Sequence, residues 1–192
     1  MAGTRKRQCP HVLGIDDGPF VKGESHDVPL AGVMTAGADL VECVAITRFA
    51  IDGDAVTDFL GDWIRDCRFG PSLRAVVFGG VTIAGLGVID IERLSARLRR
   101  PVIVVNRRDP RHHRMQRAFA AAGLLDRLDL VEATPAAVRV SSGLFASFAG
   151  IDARSGAALL KSVTAKSQLP EPLRLAHLIA TAVVRGQSQG RA

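Results

Sequence analysis

The chain has 192 residues, 47% of them hydrophobic and 23% charged, with a formal net charge of +6; that is enough apolar surface to offset chain entropy in one domain of ordinary size, and it excludes a disordered chain. No apolar run approaches the roughly 20 residues that cross a bilayer, and MAGTRKRQCP leads into a strand without a signal-peptide core, so a cytoplasmic protein with no membrane segment is expected. Cys9, Cys43 and Cys67 are odd in number, far apart and without CxxC spacing, which excludes a disulfide framework and a cysteine-based zinc site.

In chain order, residues 1–9 form a basic tail. Val12 to Ile15 is a short apolar run that ends in Asp16-Asp17-Gly18-Pro19; Pro29 to Met34 is a second run; LVECVAITRFAI from Leu40 to Ile51 is a third, rich in β-branched residues. Together they predict an antiparallel meander. Val56, Phe59, Leu60, Trp63, Ile64 and Cys67 then recur at spacings of three and four, the signature of a helix from about Asp54 with a core-facing stripe.

Leu73 to Phe78 reads as a buried strand closed by Gly79-Gly80, followed by VTIAGLGVID, a helix from about Ile89 to Arg99 and the strand PVIVVN from Pro101 to Asn106. Strand, helix, strand implies a parallel pair with a right-handed crossover. A helix over about 110–122 follows, then an expected strand at 128–133, an ambiguous stretch at 138–148, and helices over about 153–164 and 170–185, with a flexible exit at 186–192. No repeat or long linker divides the chain, so one domain over 1–192 is expected. This element order predicts an α/β, ribonuclease H-like mixed sheet in which the first and fourth strands are neighbours.

Several candidate sites resolve into plain structure. Gly79, Gly80, Gly85 and Gly87 lack both the GxGxxG spacing of a dinucleotide site and the Lys-Ser/Thr of a P-loop. His112 and His113 are adjacent on a predicted helix and point about 100° apart, which suits surface decoration. His177 reads as a partly buried core histidine, and Ser141-Ser142-Gly143 as a turn. Basic residues bunch at Arg5-Lys6-Arg7, Arg97 to Arg100, Arg107-Arg108 and Arg111 to Arg114. They point to a polyanionic partner, or to solvated faces. Arg107 and Arg108 begin a loop at a strand carboxyl end, where open α/β sheets present ligands. With Lys22, they are the candidate nucleic-acid contacts.

GIDDGPF at Gly14 to Phe20, GGVTIAGLGVIDI at Gly79 to Ile91 and LPEPLRLAHLIATAVVRGQSQGRA at Leu169 to Ala192 resemble the three signature blocks of the endonuclease dU family, which is in turn similar to endonuclease V. The resemblance implies an endonuclease-V-like fold, a Mg²⁺- or Mn²⁺-dependent endonuclease, and DNA containing a deaminated base, uracil or inosine, as the substrate, with RNA as the other possible partner. It places Asp16 as a first-strand metal-binding aspartate and Asp17 beside it as a catalytic residue. On the residues alone, both acids are equally turn formers. The third acid lies among Glu42, Asp52 and Asp54, with Asp52 the candidate metal ligand. Two departures stand out: Gly79 occupies the position where the family carries an aspartate, and Ala149 the position of an endonuclease V histidine. The alternative is a nucleic-acid-binding protein that has lost turnover.

Overall fold

The computed structural model describes residues 9–108 and 112–189. The basic tail before Cys9, the start of the helix predicted from Pro110, the side chains of His112, His113 and Arg114, and the last three residues lie outside the described residues. Among the described residues no helix is long and apolar enough to cross a membrane.

The meander forms as predicted. β1 (His11–Asp17) pairs antiparallel with β2 (Asp27–Ala36), and β2 with β3 (Leu40–Ala50). Helix α1 (Val56–Asp66) returns the chain to β4 (Ala75–Phe78), which lies parallel to β1 with Val12 opposite Ala75 and Ile15 opposite Phe78. A small ladder, β5 (Thr82–Ile83) with β6 (Gly87–Val88), precedes α2 (Ile91–Leu98) and β7 (Val102–Asn106), parallel to β4. There follow α3 (His112–Ala122), α4 (Leu128–Glu132), the hairpin β8 (Val138–Ser141) and β9 (Leu144–Ala149), α5 (Ala153–Ser162) and α6 (Glu171–Arg185). The seven-stranded sheet has the order β3-β2-β1-β4-β7-β9-β8.

Strand alternation divides the core into two layers. Leu13, Ile15, Val76 and Phe78 face one way, packing with Leu60 and Ile64 of α1 and Leu94 of α2. Val12, Ala75, Val77 and Ile103 face the other, packing with Leu160 of α5 and Leu173 of α6. Strands covered on both sides read as unbroken apolar runs, which is why AVVF and VIVV lack alternation. Asp90 caps α2 by accepting the Arg93 N–H at 2.9 Å. Ion pairs of Asp58 and Asp62 with Arg93 and Arg97 tie α1 to α2, but they are exposed, so the apolar contact beneath carries the stability.

Two segments differ from expectation or resolve it. The strand expected at 128–133 is the helix α4: Val131 is its buried position, and Arg127, buried in the turn just before the helix, lies four residues earlier, a helical spacing that the run LDLVEA conceals. The stretch 138–148 is a hairpin, with Gly143 at φ 76° in the turn after Ser141-Ser142. Gly79 to Val88 contains the β5–β6 ladder.

Candidate active site

Asp16 stands at the carboxyl end of the central strand β1. Its side chain shares a face with Val12 and Gly14, the face that α6 covers. At Gly14 the helix comes so close that a Cβ there would sit 2.2 Å from the Leu173 backbone nitrogen and 2.2 Å from the Pro172 carbonyl carbon. Two residues up the strand is Asp16; one turn up the helix from Leu173 is His177. The two meet: His177 Nδ1 and Asp16 Oδ2 are 2.7 Å apart, with the side chains 39% and 23% exposed. The hydrogen bond with Asp16 raises the His177 pKa, against the opposing effects of partial burial and the positive charge of Arg107.

In the parallel register that sets Ile15 beside Phe78, Gly79 falls next to Asp16. A Cβ at Gly79 would lie 3.9 Å from Asp16 Oδ1, in ordinary contact, so glycine leaves room there. A cavity of about 370 Å³ opens at this point, lined by Asp16, Gly79, Asn106, Arg107, Leu173 and His177. It lies at the carboxyl ends of β1, β4 and β7, where open α/β sheets hold ligands. Arg107 reaches this site, while Arg108 is exposed in the loop beyond it.

Asp17 leaves β1 on the other face, as adjacent strand residues do. Its Oδ2 accepts the Ala84 N–H at 3.0 Å. Burial first, then the charge of Asp16, pushes its pKa up to about 6 from 3.8. Between these values the folded state holds a proton that the unfolded chain does not, so Asp17 lowers stability as pH rises through this range. Asp17→Asn keeps an acceptor for Ala84 and removes the charge. We expect it to stabilise the fold by about 2 kcal/mol at pH 7, with the gain vanishing below about pH 4, measured by urea unfolding at the two pH values. An equal effect at both would contradict the assignment.

Asp52 follows β3 in a left-handed conformation, φ 54°. Its Oδ1 accepts the Leu86 N–H at 2.7 Å and its Oδ2 the Lys22 ammonium at 2.8 Å. Asp17 and Asp52 thus clamp the same turn, 84–86, from two sides, and Lys22 is engaged there with Asp52. The other two candidates for a third acid are also engaged: Glu42 pairs with His11 at 3.0 Å, and Asp54 with Arg127, whose guanidinium also donates to the Leu86 carbonyl at 2.9 Å. The structure therefore gathers Asp16, His177 and Arg107 at one cavity and places Asp17, Asp52 and Lys22 around the neighbouring turn.

This donor set bears on the metal that the resemblance implies. Among the described residues no group of three or more His, Cys, Asp or Glu side chains is placed to hold a metal ion. A two-ion centre built on protein carboxylates does not fit, because the position beside Asp16, just after β4, is a glycine. A single Mg²⁺ on Asp16 does fit the chemistry, since this ion keeps several waters and commonly takes one or two carboxylates together with substrate phosphate.

His177 is the residue that reading the sequence assigned to the core. The available signal was spacing: Leu173 and His177 are about 6 Å apart along a helix, and Gly14 and Asp16 about 6.7 Å along a strand, so a helix docked on Gly14 at Leu173 brings the other two together.

A seven-stranded mixed sheet of this order, with a carboxylate at the end of its central strand facing the last helix, is the ribonuclease H-like fold that endonuclease V also has. The Ciona intestinalis endonuclease V solved with a 24mer DNA containing an inosine followed by a ribo-adenosine superposes with a TM-score of 0.63 at 11% identity, covering 92% of this chain and 86% of that one. More similar is a protein of unknown function from Archaeoglobus fulgidus, with a TM-score of 0.84, 29% identity and coverage of 92% and 99%. The chain belongs to the endonuclease dU family, whose model matches residues 9–184. Among its relatives, a UPF0215 protein of Methanothermobacter thermautotrophicus is 36% identical over 185 residues, covering 94% of this chain and 91% of the relative, and one of Deinococcus radiodurans is 35% identical over 183 residues, covering 94% and 92%.

Proposed function

We propose that the protein is an endonuclease that hydrolyses a phosphodiester in DNA or RNA near a deaminated base, uracil or inosine, using the Asp16–His177 pair. The observation that carries this reading is the 2.7 Å contact between Asp16 Oδ2 and His177 Nδ1 beside a cavity that Arg107 also lines. The family's name, the endonuclease V fold and the inosine-containing DNA bound by the Ciona enzyme support it.

In this reading Asp16 orients the imidazole through Nδ1 and favours its cationic form, leaving Nε2 to face the substrate. As water bonds to phosphorus and the phosphorus–ester-oxygen bond breaks, a histidine so held stabilises the charge building on the phosphate and gives its Nε2 proton to the leaving oxygen; the proton of the attacking water passes to solvent, from which the imidazole is reprotonated. Arg107 draws the phosphate in, and Arg108 extends the positive surface along the backbone, while Lys22 is held by Asp52 beside the 84–86 turn. Asp17 and Asp52 act by holding the 84–86 turn beside the site. Asp16 would also hold a single Mg²⁺, or Mn²⁺; when bound, the ion supplies further electrostatic stabilisation of the phosphoryl oxygens.

Duplexes carrying one uracil, one inosine or neither, incubated with Mg²⁺ or Mn²⁺, test the proposal. Cleavage of the lesion-bearing strands above the level of Asp16→Asn is expected. Gly79→Asp places a second carboxylate where the cavity has room, and should raise the rate by about 10- to 100-fold. Gly79 itself favours the second reading, a binding protein without turnover: affinity that falls steeply with salt, with no cleavage by the parent protein, would establish that instead.

A further inference from the structure

Asp16 and His177 line two cavities. One is the cavity that Arg107 also lines; the other, of about 320 Å³, is lined by the same pair together with Gly18, Pro19, Thr181 and Arg185. His177, Thr181 and Arg185 follow at intervals of four along α6, on one ridge of the helix and about 12 Å from first to last. The turn after β1 is held hard against the helix here: a Cβ at Gly18 would meet Val184 Cγ2 at 2.7 Å and the Ala180 carbonyl oxygen at 2.9 Å.

Two polar groups in this second cavity are not consumed by the fold. Thr181 is 4% exposed, and its hydroxyl makes no hydrogen bond among the described residues. Arg185 donates from Nη1 to Oε1 of Gln189, a residue that follows the left-handed Gly186 at φ 76° beyond the end of the helix. That amide is neutral, so among the described residues no carboxylate pairs with the guanidinium. The two acids at the cavity are already bonded, Asp16 to His177 and Asp17 to the Ala84 N–H. A guanidinium and a hydroxyl on a fixed surface are donors suited to a backbone phosphate.

We propose that this cavity is a second phosphate subsite, in which Arg185 and Thr181 hold the backbone phosphate next to the one at His177. Given nucleic acid as the substrate, on which this proposal rests, the strand crosses the Asp16–His177 pair with a cationic contact on either side, Arg107 on one and Arg185 on the other.

Fluorescence anisotropy of a uracil-containing duplex in EDTA separates binding from turnover. Arg185→Gln should weaken binding about tenfold and lower the slope of log affinity against log salt by about 0.9, while Arg185→Lys keeps the slope. Thr181→Val should weaken binding about threefold with the slope unchanged, and circular dichroism should show each variant folded. A neutral methylphosphonate is then moved along the uracil-bearing strand one phosphate at a time. The loss caused by Arg185→Gln should vanish at one position, next to the position where the loss caused by Arg107→Gln vanishes. A loss of equal size at every position, or parent-like affinity and slope in Arg185→Gln, would overturn the subsite alone. A protein that shows the predicted pattern and never cuts would confirm the subsite and contradict the nuclease reading; a parent protein that binds no duplex at low salt would overturn both.

Discussion

Gly14→Ala is expected to lose most of the stability of the fold. The new methyl would lie 2.2 to 2.4 Å from backbone atoms of Pro172 and Leu173, and neither a strand at the centre of the sheet nor the first turn of α6 yields as a side chain does. Overpacking of this kind costs about 3 kcal/mol or more, a large part of the margin of a domain this size. The urea midpoint should fall accordingly, and His177 should lose its contact with Asp16 as α6 shifts. Gly32→Ala is the control. Its methyl would meet the Trp63 ring at 3.1 Å, an end that swings aside, and about 1 kcal/mol is expected. Equal midpoints for Gly14→Ala and the parent protein would refute the close docking of α6 on β1.

The largest effect on activity is expected at His177. His177→Ala should lower cleavage by about 10² to 10⁴-fold while leaving nucleic-acid affinity within a few-fold, because the charged loop residues that draw in the backbone remain. The pH dependence has a definite sign. Asp16 raises the His177 pKa above its ordinary 6.5, so the stability from this pair is fully present below about 6.5 and lost as pH rises through the folded value. The rate that depends on the imidazolium should decline over the same upper range. In Asp16→Asn the histidine titration, followed by NMR, should move to lower pH; an unmoved midpoint would deny the pairing.

Much of this arrangement was legible beforehand. GIDD followed by Gly-Pro marks a strand ending in acids, and the order of three meandering strands, a helix and then strand, helix, strand predicts β1 beside β4 and so Gly79 beside Asp16; that an aspartate is missing there is implied by the family resemblance alone. His177 was not legible as a site residue because its neighbour depends on which helix docks on which strand, a tertiary fact that local periodicity does not contain. Asp52 was undecided for a related reason: strand alternation stops at Ala50, and a left-handed residue beyond it turns its carboxylate toward the 84–86 turn. At 128–133 the helical spacing of buried Val131 from Arg127, just before the helix, is hidden in a run apolar enough to pass for a strand.

The account rests on Asp16 and His177 acting as one unit on a phosphodiester. Single-turnover cleavage of a uracil-containing duplex by the parent protein, Asp16→Asn, His177→Ala and the double variant measures this directly. The prediction is that the parent protein cleaves and that the double variant is no slower than the slower single one. Losses that simply multiply, or a parent protein as inert as Asp16→Asn, would contradict it.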